Sequence, residues 1–174
     1  LCCVEINTAS FKFMNSKEYF FDQVLKSVNS QGRTIKILEL GCGTAKYVPT
    51  MINDYPNVEY VGVEPIEASY NKAQEILKNT PRTRTFLQLG YDEVEGLEEA
   101  SFDIVISFSV LEHVKNLEAF IKLGSKYLKS GGLMVHRYDL GHALHPTSLK
   151  ERCHVWFGNN FPSVLPERQF VRYV

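Results

Sequence analysis

The sequence lacks most of what would mark it as anything but a globular domain. No apolar run approaches the ~20 residues that cross a bilayer, and no charged-then-apolar secretory signal stands at the amino end. Charge of one sign is missing too: 19 Lys plus Arg face 20 Asp plus Glu, a formal net charge of −1. That balance argues against a strongly basic nucleic-acid footprint. Internal repeats and low-complexity stretches are absent. Cysteine is sparse, with Cys2, Cys3, Cys42 and Cys153 forming no C-x-x-C pair for zinc or redox chemistry. Reduced thiols in a cytoplasmic protein are therefore expected. The first residue is Leu1, consistent with a fragment, a processed form or part of a longer chain.

What is present is 174 residues, 44% of them hydrophobic, enough for one domain that buries roughly two-thirds of its unfolded surface. Ser16 is placed to cap a helix whose Phe20, Phe21, Val24, Leu25 and Val28 follow helical spacing, and Gln31-Gly32 ends it. Residues 35–40 are a short apolar run entering Gly41-Cys42-Gly43, a buried strand followed by a tight turn. A helix is expected from near Lys46 to before Asp54, and a second strand over 58–64. Ile66, Tyr70, Ala73 and Leu77 line the next helical face, with a third strand at 85–89. A fourth strand covers 103–108, followed by a stripe of Leu117, Phe120, Ile121, Gly124 and Leu128. Gly131-Gly132 is expected to stop that helix before a fifth strand at 133–138. Near-continuous apolar strands alternating with helices predict an α/β fold, a doubly wound and mostly parallel sheet with helices on both faces. Within a single domain over 1–174, residues 1–32 read as an amino-terminal helical cap, 33–140 as a cofactor-binding core and 141–174 as helix and loops.

The glycine turn lies where a strand delivers the chain to a helix, a place where backbone can approach a ligand closely. Glu64 closes the second strand 21 residues after Gly43, where a carboxylate can accept hydrogen bonds from both hydroxyls of a ribose. A dinucleotide site wants a small third residue in G-x-G-x-x-G/A, but Lys46 stands there. Glu39, just before the glycines, would sit badly beside a pyrophosphate and suits a cationic ligand, such as a sulfonium cofactor bearing an ammonium group.

The stretch 37–44 resembles the first signature of the class I S-adenosylmethionine-dependent methyltransferases, and Val61-Gly62-Val63-Glu64-Pro65 resembles the second. Residues 101–114, ending in Leu111-Glu112-His113-Val114, are similar to the fourth-strand signature of the type 11-like, small-molecule branch. Residues 127–133 resemble the glycine turn before the fifth strand, so four signatures fall in order across about residues 33–140. The resemblance implies a Rossmann-like methyltransferase fold and S-adenosylmethionine as methyl donor. It implies that Gly41, Cys42 and Gly43 pass under the cofactor, that Glu39 reaches its amino-acid end, and that Glu64 and the adjoining Pro65 hold the ribose side. Ser107 and Phe108 would line the methionine arm, with Phe13 and Tyr19 candidates to close over it.

Two departures stand out. After the third strand the family's Gly-Asp-Ala-like turn is replaced by Gly90-Tyr91-Asp92, so Tyr91 would cover the adenine and Asp92 reach its edge. The family fold also ends with a sixth and a seventh strand, and no convincing ones follow residue 145. On the acceptor side, His113 at the end of the fourth strand is the candidate general base, since an imidazole there can take a proton from a hydroxyl. Glu112-His113 could equally cap the local helix. Asp139, His142 and His145 could edge the same pocket. No metal site is expected, because Ser109 replaces the first carboxylate of metal-dependent relatives. The expected partner is a small molecule methylated on oxygen, nitrogen or carbon, without nucleic acid or membrane. The rival readings are a non-catalytic cofactor-binding or scaffold module and an NAD(P)-dependent oxidoreductase.

Overall fold

Each buried apolar run becomes a strand and each amphipathic stripe a helix. The computed structural model describes residues 16–28, 32–87 and 94–137. In chain order these are α1 (Ser16–Ser27), β1 (Ile35–Leu40), α2 (Val48–Asp54), β2 (Val58–Glu64), α3 (Glu67–Leu77), β3 (Thr83–Leu87), β4 (Phe102–Phe108), a single 3-10 turn (Leu111–His113), α4 (Leu117–Tyr127) and β5 (Leu128–Arg137). The strands form one sheet in the order β3-β2-β1-β4-β5, and every pairing is parallel. Because parallel neighbours need long crossovers, helices cover both faces, as the near-continuous apolar strands require.

Alternation along each strand sorts the core into two layers. On one face Phe21, Val24 and Leu25 of α1, Val48, Met51 and Ile52 of α2 and Ala73 and Leu77 of α3 pack on Ile35, Ile37, Val58, Tyr60, Ile104, Ile106 and Phe108. On the other, Phe120, Leu123 and Tyr127 of α4 pack on Leu38, Leu40, Val61, Val63 and Val105. The amino edge of the sheet is tied electrostatically. Asp103 accepts from Arg33 at 2.6 Å, Lys129 at 3.0 Å and the Lys36 backbone N–H at 2.9 Å.

Several boundaries differ from the sequence expectation, each for a local reason. The second helix starts at Val48 rather than near Lys46, with Pro49 in its first turn, where its missing N–H has no helical acceptor to lose. Ile66 caps α3 from outside and is 61% exposed, so it does not share the buried stripe of Ala73 and Leu77. The third strand runs Thr83–Leu87 instead of 85–89; its half-exposed positions alternate too weakly to locate it from sequence. Gly131-Gly132 does not stop a helix. The helix ends at Tyr127, and both glycines lie inside β5, in an irregularity that pairs Phe102 with Leu128 but Ile104 with Leu133. Among the described residues no helix is long and apolar enough to cross a membrane. The segment 141–174 and the question of a sixth and seventh strand lie outside the described residues.

Candidate functional site

The chain order reverses between β1 and β4, and in open parallel sheets the crevice at the carboxyl ends of such strands is where ligands bind. The glycine turn leaves β1 at that crevice. Gly41 has φ +78°, and a Cβ added there would stand 2.6 Å from Cγ2 of Val110, which follows β4. Only glycine meets both conditions. The Gly41 and Cys42 N–H groups donate to Val63 O at 2.8 and 3.0 Å, which sets the turn against the end of β2. No described residue lies within 4 Å of where a Gly43 Cβ would be, so among the described residues its backbone borders open space.

Glu64 fastens the turn from the other side. Its carboxylate, only 4% exposed, accepts from the Gly43 N–H at 2.7 Å and from the Ile66 N–H at 3.0 Å. Each oxygen keeps a further lone pair, so the group that shapes the turn can also accept a ligand hydroxyl. Pro65 beside it is exposed.

Glu39 is fully buried. One carboxylate oxygen, Oε2, accepts from the hydroxyls of Tyr47 and, at 2.5 Å, Tyr60. The other, Oε1, has no hydrogen-bond partner among the described residues. Burial pushes this carboxyl up to about 6, with the two tyrosine bonds and the nearby Lys17 charge pulling the other way. The tyrosines escaped the sequence reading. Strand alternation does put Tyr60 and Gly62 on one face, and a Cβ on Gly62 would lie 2.7 Å from Cys42 Sγ and 3.0 Å from Tyr60 Oη. The bare glycine leaves room for both. Cys42 therefore packs beneath the turn, and burial, with Glu39 and Glu64 nearby, drives its thiol far upward, so it is no nucleophile.

At the end of β4 the two expected contact residues part company. Phe108 turns to the Glu39 side, where its ring meets Phe20 at 5.0 Å, Phe21 at 5.1 Å and Tyr47 at 6.1 Å between centroids. Ser107 turns to the α4 side, where its Oγ lies 2.8 Å from His136 Nδ1. Burial holds His136 down to about 4, so it stays neutral, and its Nε2 has no partner among the described residues. His113, in the 3-10 turn after β4, is exposed, whereas both carboxylate oxygens of the adjoining Glu112 are buried without a hydrogen-bond partner among the described residues. Tyr19 lies in α1, half-buried. Phe13, Tyr91, Asp92, Asp139, His142 and His145 lie outside the described residues. Among the described residues no three His, Cys, Asp or Glu side chains are grouped to hold a metal. Two cavities of about 150 and 140 Å³ adjoin the amino halves of the strands, away from the turn, and are too small for a nucleoside.

Residues 38–134, more than half of the chain, match the family described as a methyltransferase domain. The chain belongs to that family. The match runs from β1 through the glycine turn into β5, so it covers the crevice just described. A malonyl-[acyl-carrier protein] O-methyltransferase of Paenibacillus sp. is 30% identical over 115 residues, which is 62% of this chain and 40% of that protein. A ubiquinone biosynthesis O-methyltransferase of Rickettsia akari is 25% identical over 118 residues, 68% of this chain and 45% of that protein. This methyltransferase domain thus spans less than half the length of those curated relatives. In three dimensions it resembles the CurJ carbon methyltransferase, with a TM-score of 0.61, 19% identity, and coverage of 81% of this chain and 38% of that one. At that identity the likeness speaks for the fold.

Proposed function

We propose that this methyltransferase domain binds S-adenosylmethionine in the β1–β4 crevice and transfers its methyl group to an oxygen, nitrogen or carbon atom of a small molecule. The observation that carries the reading is the glycine turn itself, pinned by Glu64 with Gly43 bordering open space and the buried Glu39 carboxylate behind it. These residues fit the cofactor. Glu64 has lone pairs for ribose hydroxyls, Gly43 offers backbone without a side chain in the way, and Glu39 supplies a negative field for a cationic amino-acid end. Gly41, Cys42 and Pro65 shape the wall, and Phe108 lines the methionine side. Ser107 acts one layer behind, through its bond to His136, and Tyr91 and Asp92 are assigned to the adenine.

When bound, the sulfonium supplies a methyl group already activated for in-line displacement. The chain's own residues then align the acceptor and exclude water, worth several kcal/mol of barrier by orientation alone. His113, exposed at the carboxyl edge of β4, takes the proton of a hydroxyl or amine acceptor. The unpartnered Glu112 oxygens favour an acceptor that carries hydrogen-bond donors over a purely apolar one. The near-neutral charge favours a small molecule over nucleic acid, and the buried, free Cys42 suits a cytoplasmic location.

Calorimetric titration with S-adenosylhomocysteine and with NAD(P) tests the cofactor. Selective NAD(P) binding would overturn the reading. Binding of S-adenosylhomocysteine without methyl transfer to any of a broad metabolite panel would leave a binding module.

A further inference from the structure

Glu39 is fully buried, and the two tyrosines that bond it belong to the apolar layer that α1 and α2 form on the sheet. A carboxyl so placed stays neutral unless something specific favours its charge. Here two phenols do. Tyr60 stands in β2 across from Ile37, and its hydroxyl reaches Oε2 at 2.5 Å. Gly62 is the residue opposite Glu39 in the same parallel register, and a Cβ on it would crowd Tyr60 Oη at 3.0 Å. Tyr47, just before α2, donates to the same oxygen, its ring held by Phe21 at 5.1 Å and Phe108 at 6.1 Å between centroids. Burial, with Glu39 beside them, pushes both phenols far up, so they remain donors. Two bonds to Oε2 leave Oε1 without a partner among the described residues. The other groups that face this carboxylate are few. Lys17 of α1 favours its charge, Glu64 at the end of β2 opposes it, and Cys42 under the turn stays a neutral thiol.

Resting on the S-adenosylmethionine reading above, we propose that Tyr47 and Tyr60 are positioning residues for the cofactor: their converging hydroxyls orient the Glu39 carboxylate and keep it anionic, and so set the lowest pH at which the amino-acid end is held. Only the ionised carboxylate attracts an ammonium group. The apparent dissociation constant is therefore the intrinsic one divided by the ionised fraction. Burial holds this carboxyl up to about 6 even with both tyrosine bonds in place. Affinity is then full near about pH 8 and falls about tenfold by about pH 5. Each hydroxyl that is lost lets burial act with less opposition, so the fall begins at a higher pH. Donor and product share the ammonium group, and both follow the same curve. A nucleoside without the amino-acid end does not.

The test is calorimetric titration with S-adenosylhomocysteine between about pH 5 and about pH 8. It compares wild type, Tyr60→Phe, Tyr47→Phe and Glu39→Gln, with circular dichroism to confirm the fold. Phenylalanine keeps each ring and removes only the hydroxyl. Tyr60→Phe should move the midpoint of affinity against pH upward by about one unit, while affinity at about pH 8 stays within about threefold of wild type. Tyr47→Phe should do the same. Glu39→Gln should bind more weakly than wild type at the upper pH and show no slope. 5′-Methylthioadenosine keeps the ribose assigned to Glu64 but lacks the amino-acid end, so its affinity should be flat throughout. An equal loss at every pH would make the tyrosines packing residues and overturn the inference, as would a midpoint that does not move. A slope shared by 5′-methylthioadenosine would trace the titration to another group and overturn it too. If neither nucleoside binds the wild type, the cofactor reading falls and this inference with it. If both bind and S-adenosylhomocysteine shows no slope, this inference alone falls.

Discussion

Replacing Glu64 by Ala takes the acceptor from two backbone donors that differ in their access to water. The Ile66 N–H, at 3.0 Å, belongs to a residue 61% exposed, so water can take the carboxylate's place there for well under ~1 kcal/mol. The Gly43 N–H, at 2.7 Å, lies in the turn itself, and losing a hydrogen bond to a charged group costs about 1.5–3 kcal/mol. Relief from burying a carboxylate that is 4% exposed offsets part of this. A net loss of about 1–2 kcal/mol follows, which at a urea slope of roughly 2 kcal/mol/M lowers the unfolding midpoint by about 0.5–1 M. Affinity for S-adenosylhomocysteine should fall further, by about 10- to 150-fold, if the same carboxylate also accepts from the ribose. Urea titration of the free domain reads the first effect and calorimetry of the folded variant the second. A midpoint equal to wild type would refute the pinning of the turn. Unchanged affinity in a folded variant would remove Glu64 from the binding site.

Three further outcomes are expected. Glu39 ionises near 6 when folded against an ordinary value of 4.5, so the folded state binds the proton more tightly. Its contribution to stability is therefore full below about pH 4.5 and shrinks by about 2 kcal/mol as pH rises through 6; urea midpoints across that range should show the slope, and Glu39→Gln should flatten it. Gly41→Ala should cost at least the ~1–2 kcal/mol of a left-handed residue plus a clash with Val110, and adding Val110→Ala should recover the clash alone, so strictly additive losses in the double variant would refute the contact. At Asp103 burial pushes the carboxyl up, but the Lys36 N–H, Arg33 and Lys129 together hold it below its ordinary 3.8, so its stabilisation is present above that value and lost as pH falls below it. Asp103→Ala should cost about 1–3 kcal/mol at neutral pH by urea titration, less than a fully buried pair because Arg33 and Lys129 are 50% and 40% exposed.

The candidate site was legible where its chemistry depends on residue type at a fixed spacing. Glycines at the end of an apolar strand and a carboxylate at the end of the next mark the turn and Glu64 without coordinates, because the backbone conformation and the acceptor are each properties of single residues. What the spacing could not show is that Glu64 already serves the turn. Nor could it show that Glu39 is sealed beneath Tyr47 and Tyr60. Ser107 and Phe108, adjacent in sequence and expected to line one arm, face opposite layers because successive strand residues alternate. Lys17 reads in sequence as an ordinary surface lysine; its place over two rings depends on which sheet face α1 covers.

The sequence by itself determined the alternation of elements, the limits of β1 and β2, and hence a parallel sheet covered on both faces. Burial on both sides of a strand demands an unbroken apolar run, and such a run is visible residue by residue. Tertiary structure alone decided the position of the half-exposed β3, the placing of Gly131-Gly132 inside β5 rather than at a helix end, and the partners of Glu39, Glu64 and Ser107 at the crevice. Those depend on which elements meet and in what register. Contacts between residues dozens of positions apart leave no periodic trace in the chain, so only the folded sheet could settle them.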